Sequence, residues 1–217
     1  MPKKRIRNIS KNQLGRLPNY VHHLQALRAA GIEKVTAPQV ARDLNLNVEL
    51  VKKDFALVAK RQGTPRSGRD ISELISDMYD FLEYRQHDKA ILIGVGSLGR
   101  ALLHYRGFDD YGFNIVAAFD VDPALIGNKV DGIPIYSLDD LEHVQAEHRS
   151  QIAIITVPAK EAQKVATRLI SANISAIWNF APAHLKVPSR IIVQDENMIS
   201  SLAIISHRLK EKQREKK

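Results

Sequence analysis

Lys89-Ala-Ile-Leu-Ile-Gly94-Val-Gly96-Ser97-Leu98-Gly99-Arg-Ala-Leu-Leu runs from an apolar strand through three glycines into a helical pattern, and nothing else in the 217 residues limits the fold so strongly. A lone GxGxxG is a weak signal. Here a strand precedes it, a helix follows, and a second apolar strand at 115–119 ends in Asp120, 21 residues past Gly99. That is the layout of a dinucleotide-binding βαβ unit. Gly94 permits the sharp bend, Gly96 lets the backbone approach a pyrophosphate, and Gly99 lets helix and strand pack closely. The helix N-terminus offers its free amides to the anion. Asp120, with Val121 and Asp122 after it, is placed to accept from a ribose 2′-OH. Its charge repels a 2′-phosphate, so NAD(H) is favoured over NADP(H). A nucleotide-free Rossmann-like domain, or one holding a flavin or CoA, fits the same pattern and stays open on these residues alone.

Further strand and helix units follow. Residues 133–136 form a strand before a helix starting near 137–141, and the apolar run 152–158 forms another before a helix at 162–171. The run 176–182 is a further strand. In a doubly wound sheet, ligands sit at the carboxyl ends of strands. Thr156, Val157, Pro158, Asn179, Phe180 and Ala181 are therefore candidates for the nicotinamide end, although a strand followed by proline is also how parallel strands simply stop. Catalytic chemistry has no visible seat. His104, His143, His148 and His184 lack partners at any motif spacing, HxxEH and GxSxG are absent, and the Rossmann unit at about 86–195 leaves no substrate domain. Without cysteine there is no thiol nucleophile, disulfide or zinc finger, and no metal site is expected. A cofactor without a catalyst points to sensing.

Charge divides the chain. Residues 1–69 carry 15 Lys and Arg against 4 Asp and Glu, whereas 70–205 carry 11 against 18. The positive field of the first third suits a polyanion. Within it, Tyr20, Val21, Leu24 and Leu27 recur at helical spacing from Leu17, with Gly31 placed to end the helix. Thr36, Pro38 and Gln39 open a short helix to about Leu44. Asn47 caps a third helix to about Lys60, with Leu50, Val51, Phe55 and Val58 inward and Glu49, Lys52, Lys53 and Ala56 outward. Two short helices joined by a tight turn, the second with lysines outside, fit a helix-turn-helix. The Gly-, Pro- and Arg-rich stretch 61–69 has the length of a β-ribbon wing; a three-helix bundle with a loose basic loop is the plainer alternative. A helix at about 72–84 either links to the second domain or belongs to it.

No run of 18 apolar residues spans a membrane, and the charged start MPKKRIRNIS leads into no apolar leader segment, so a cytoplasmic protein is expected. A final helix from about Asn197 carries Met198, Ile199, Leu202, Ile205 and Leu209 at helical spacing. It either closes its own core or crosses to a second subunit. The fold class is thus α/β: an N-terminal winged helix-turn-helix (1–85), a Rossmann-like doubly wound parallel sheet (86–196), and a C-terminal helix with a basic tail (197–217).

A basic winged helix, GVGSLG after a strand, then FDVDP, TVP, NFAP and a terminal helix together resemble the redox-sensing transcriptional repressor family Rex, over about residues 16–209. The resemblance implies a homodimer that binds operator DNA when NADH is scarce and releases it when NADH rises, with a swapped C-terminal helix. It implies NADH/NAD⁺ bound by Gly94, Gly96, Ser97, Leu98 and Gly99 at the pyrophosphate and Asp120 at the ribose. Thr156 to Pro158 and Asn179 to Pro182 would lie near the nicotinamide. Lys52, Lys53, Arg66 and Arg69 would contact DNA, with VKKDF standing for the family's VRKDL. Where the family reads SYFG and then a GKRGVGY-like wing, this chain has Ala56-Leu-Val-Ala and the stretch 63–69, without those aromatic residues and with the basic residues moved. The family also joins a first-helix arginine, a tyrosine after the glycine-rich helix and a C-terminal aspartate into a polar switch; Arg16 and Tyr105 match, while an ungapped reading puts Ile199 at the aspartate. Two alternatives follow: a Rex-like DNA-binding regulator indifferent to the redox ratio, and a small NAD-dependent oxidoreductase with a basic appendage.

Overall fold

The structure is a computed structural model that describes residues 9–61, 68–84 and 88–214. The chain divides into two compact units, Met1–Arg85 and Gln86–Lys217. In the first, α1 (Lys11–Ala29) is capped by Ser10, whose side chain accepts from Gln13 N. It starts six residues before the expected position and runs through Gly15 and Pro18, both poor in helices. Tertiary bonds hold this first turn: Gln13 and Arg16 both donate to Asp54. Gly31, at φ +80°, closes the far end, where Ile32 N donates to Leu27 O and Gly31 N to Arg28 O in a Schellman motif.

A short strand β1 (Lys34–Val35) leads to α2 (Ala37–Asp43), capped by Thr36, and α3 (Val48–Val58), capped by Asn47. Leu17, Tyr20, Val21 and Leu24 of α1, Val40 and Ala41 of α2, and Val51, Phe55 and Val58 of α3 are buried. Leu50, expected inward, is exposed, because it lies one residue off that stripe at its edge. The stretch 62–67 falls outside the described residues, so only the base of the expected wing is visible. There β2 (Arg69–Asp70) pairs antiparallel with β1, Val35 facing Arg69. Next, α4 (Ile71–Phe81), capped by Asp70, buries Ile71, Leu74, Ile75 and Met78 and lies within the first unit.

The second unit is a seven-stranded sheet. Its strands are β3 (Asp88–Ile93), β4 (Phe113–Asp120), β5 (Lys129–Val130), β6 (Ile133–Ser137), β7 (Ile152–Ile155), β8 (Ala176–Asn179) and β9 (Ile192–Asp195). They lie in the order β5-β6-β4-β3-β7-β8-β9, all pairs parallel except β5 with β6. Numbered from β3, the six parallel strands read 3-2-1-4-5-6, the doubly wound dinucleotide order, with its switch point between β3 and β7. One face packs on α6 (Leu141–His148) and α7 (Ala159–Ser171), through Ile91, Phe119, Val144, Val165 and Leu169. The other carries α5 (Ser97–Leu103) over Leu92, Val95, Leu103 and Ile154. The chain ends in α8 (Met198–Arg214), whose Ile199, Leu202, Ile205 and Leu209 are all exposed, so it does not close the core of its own chain. Among the described residues no helix is long and apolar enough to cross a membrane.

Candidate functional site

The switch point gathers the glycine loop. β3 ends at Ile93, and Gly94 turns at φ +98°, a conformation only glycine adopts without strain. A Cβ there would also lie 2.9 Å from Val157 Cγ1 and 3.0 Å from Thr156 O. At Gly99 a Cβ would lie 2.0 Å from Gly94 O, so the helix can approach the turn only through glycine. Gly96 differs: it has extended backbone, and a Cβ would meet nothing within 4 Å. Space is open beside the loop there. As N-cap of α5, Gly96 supplies no side-chain cap, and the first amide bonded back along the helix is Arg100 N to Gly96 O. The amides of Ser97, Leu98 and Gly99 thus precede the helical ladder. A pyrophosphate fits this cradle: open space, uncapped amides and glycines where side chains would collide.

Asp120 closes one side of the loop. Its Oδ2 accepts from Val95 N at 2.6 Å, and its Oδ1 from Val121 N at 2.7 Å and Asp122 N at 2.9 Å. A carboxylate has about four lone-pair sites, so one remains for a ribose hydroxyl while three amides fix the orientation. Asp122 turns back to Ala124 N at 2.9 Å, and Val121 is exposed.

Thr156 closes the other side. Its Oγ1 lies 2.7 Å from Gly94 O and 3.0 Å from Ile93 O, and its amide donates to Ile93 O. Phe180 N donates to Ile155 O, so the NFAP turn continues beside the TVP turn at the same end of the sheet. Asn179 is fully buried and its amide is used internally. Nδ2 donates to Ala183 O and to Asp195 Oδ1, and Oδ1 accepts from Ala181 N. Its side chain shapes the turn. Ala181 is buried, Pro158 and Pro182 are exposed, and Val157 and Phe180 lie between these extremes.

In the first unit, Lys52 and Lys53 are exposed on α3; Lys52 Nζ reaches Glu49 Oε1 at 2.8 Å, and no acid bonds Lys53 among the described residues. Arg69 is less free than expected, since its Nη1 donates to Arg61 O at 2.8 Å and ties the base of the wing. Arg66 lies outside the described residues. Behind the lysines sits a residue the sequence reading passed over. Asp54 is 1% exposed and accepts from Gln13 Nε2, Arg16 Nε, Arg16 Nη2 and Tyr20 OH at 2.7–3.0 Å. Burial pushes its carboxyl up, but the bonds from Arg16, Tyr20 and Gln13 outweigh that and hold its pKa below the ordinary value. Burial, reinforced by Asp54, pushes the Tyr20 phenol up to about 12. The available signal was a carboxylate on the apolar stripe Val51, Phe55, Val58. Of the switch residues, Arg16 is therefore paired inside its own unit. Tyr105 is exposed, its ring edge-on to Phe108 at 4.9 Å. Ile199 lies in the first turn of α8 and has no acceptor for an arginine, whereas Asn197, two residues earlier, caps the helix by accepting from Ser200 N at 3.1 Å.

Residues 8–56 match the family described as "Putative DNA-binding protein N-terminus", and 85–183 match the "CoA binding domain" family. The redox-sensing transcriptional repressor Rex of Porphyromonas gingivalis is 39% identical over 197 residues, 91% of this chain and 90% of that protein. The chain belongs to the Rex family. Rex of Clostridium beijerinckii is 33% identical and covers 94% of this chain and 97% of its own. Among solved structures, RSP, a Rex-family repressor, matches in complex with β-NADH at TM-score 0.87 and 29% identity, over 97% of this chain and 98% of that one. The same repressor in complex with β-NAD⁺ and operator DNA matches at TM-score 0.87 and 29% identity, over 97% and 96%. Rex proteins are repressors, a family of regulators rather than enzymes.

Proposed function

We propose that this Rex protein is an NADH-responsive transcriptional repressor, a homodimer acting in the cytoplasm that binds operator DNA and releases it when NADH fills the glycine loop. The observation carrying this reading is the convergence of the Gly94–Gly99 loop, Asp120 and the Thr156 turn at the switch point, in a chain that also holds a helix-turn-helix with outward lysines. Gly94, Gly96, Ser97, Leu98 and Gly99 would hold the pyrophosphate and Asp120 the adenosine ribose. Val157, Pro158, Phe180 and Pro182 are exposed or half-exposed beside them and would border the nicotinamide, with Thr156, Asn179 and Ala181 fixing the two turns. When bound, NADH supplies a reduced ring whose charge differs from NAD⁺, and the protein distinguishes the two without transferring hydride. Asp120 argues equally against a ribose 2′-phosphate and the 3′-phosphate of CoA, which favours NAD(H) over the ligand in the matched domain's name.

Lys52 and Lys53 would face DNA, joined by Arg66 and Arg69 of the wing. Helix-turn-helix dimers read half-sites one helical turn apart, and residues 197–217 would supply the dimer contact, because the apolar face of α8 is uncovered in the single chain. The test is titration with NADH, NAD⁺ and NADPH, following the emission of Trp178, the sole tryptophan. DNA retention is then measured with each nucleotide. NADH binding tighter than NAD⁺ and much tighter than NADPH, with DNA release by NADH alone, is expected. DNA binding unaffected by any nucleotide would leave a regulator indifferent to redox ratio.

A further inference from the structure

The link between the strand ends and α8 runs through a pair of side chains. Trp178, the penultimate residue of β8, donates from Nε1 to Glu196 Oε1 at 3.0 Å. Its ring packs against Phe180 at 4.6 Å between centroids and edge-on to Phe108 at 6.0 Å. Beside this bond, Glu196 N donates to Asn179 O at 2.8 Å and Asn179 Nδ2 to Asp195 Oδ1 at 2.8 Å. One residue beyond Glu196, Asn197 caps α8. The helix is exposed on its apolar residues from Ile199 to Leu209, so its direction is set at this root.

We propose that Trp178 and Glu196 are positioning residues that couple the turn holding Phe180 to the root of α8, an inference that rests on the NADH-responsive reading above. A ligand shifts an equilibrium only through contacts that differ between the two states. Occupancy beside Phe180 moves the indole packed on it, and the indole N–H carries that movement to Glu196 and the first turn of α8. Gln194 Nε2 also donates to Glu196 Oε1, at 3.4 Å, a bond that Glu196→Ala removes and Trp178→Phe leaves in place. The remaining bonds of the link run through Asn179 or the backbone and cannot be cut without disturbing the turn itself. The Trp178–Glu196 bond can.

The experiment uses the full-length dimer and a DNA duplex selected from a random-sequence pool by the unaltered protein without nucleotide. Nucleotide affinity is measured by calorimetry, and DNA affinity with and without saturating NADH. Glu196→Ala is expected to keep NADH affinity and nucleotide-free DNA affinity, while the factor by which NADH weakens DNA binding falls about five-fold, the worth of one such hydrogen bond. Glu196→Gln, which keeps an acceptor oxygen, restores most of that factor. Trp178→Phe keeps a ring but removes the N–H and matches Glu196→Ala, and the double variant loses no more than either single one. A purely structural bond would lower the melting temperature and leave the NADH factor unchanged; that result overturns the inference while the functional reading stands. An unaltered protein whose DNA binding ignores NADH overturns both.

Discussion

Asp54 holds Arg16 within the helix-turn-helix, Nε donating to Oδ2 at 2.7 Å and Nη2 to Oδ1 at 3.0 Å. Two of the five guanidinium N–H groups are thereby given to Asp54. Any second partner that draws on Arg16 competes with a buried carboxylate for the same side chain. Because Asp54 follows Lys52 and Lys53 directly on α3, such a change at Arg16 is also felt by the helix that carries the outward lysines.

Removing Asp54 tests this. Asp54→Ala leaves Gln13, Arg16 and Tyr20 without their shared acceptor, and breaking a buried pair of this kind costs about 3 kcal/mol. Chemical denaturation is expected to show that loss in the first unit. DNA affinity should fall with it, and NADH affinity should hold. A stability change below about 0.5 kcal/mol, the usual range for surface sites, would show that the cluster does not hold α1 to α3.

The same cluster sets two pH limits. Asp54 titrates below its unfolded value, near 3.9, so its contribution is complete above about pH 4 and is lost as pH falls through the lower folded pKa. Tyr20 is shifted the other way, to about 12 from 10 unfolded. Its contribution is complete below pH 10 and disappears as pH rises from 10 to 12. Denaturation midpoints of the first unit should therefore be flat from about pH 5 to 9 and fall on both sides. In Asp54→Ala the acid limb from this group should vanish. An unchanged acid limb would assign acid sensitivity elsewhere.

Local signals carried much of the fold. Thr36 and Asn47 are caps in the structure because a side-chain oxygen before an apolar period is a local device. The apolar strands 88–93 and 152–155 are readable because parallel strands are buried on both faces. What failed was non-local. The first turn of α1 is held by Asp54, 41 residues from Gln13, so the apolar period that begins at Leu17 does not mark where the helix starts. Nothing local to NFAP shows that the Asn179 amide is bonded to Ala183, Asp195 and Ala181, which are brought together only by the turn and β9. Trp178 and Glu196 sit at no motif spacing. They meet because β8 and β9 pair in register, Trp178 opposite Gln194.

The outward lysines predict a salt signature. Replacing Lys52 and Lys53 with Ala should weaken DNA binding across sequences and reduce the slope of log K against log salt by up to about 2. Part of the effect of Lys52 is offset by its Glu49 partner, which it must leave to meet a phosphate. Binding measured from 50 to 200 mM salt checks this. An unchanged slope would remove α3 from the interface.

Asp120 predicts nucleotide choice. Asp120→Asn retains one acceptor oxygen for the Val95 amide or its neighbours but removes the charge. NADH affinity should drop modestly while NADPH affinity rises, narrowing the preference about ten-fold, on the order of 1.4 kcal/mol of lost repulsion. Calorimetric titration with both nucleotides gives the ratio. A preference that stays the same would mean that the ribose end is read by another group.

Two glycines three residues apart should behave in opposite ways. Gly96 has ordinary extended backbone and open space where its Cβ would project, so Gly96→Val is expected to fold with little loss of stability while filling the space a pyrophosphate needs. NADH binding should disappear, and nucleotide-free DNA binding should remain. Gly99→Ala instead puts a methyl 2.0 Å from Gly94 O, which only a shift of α5 relieves, and overpacking of that kind costs about 1–3 kcal/mol. Its melting temperature should fall even without nucleotide. Thermal melts and NADH titrations of both variants separate the two effects. If Gly96→Val binds NADH as the parent does, the pyrophosphate does not lie against this loop. If it loses DNA binding as well, the variant has misfolded rather than lost a ligand.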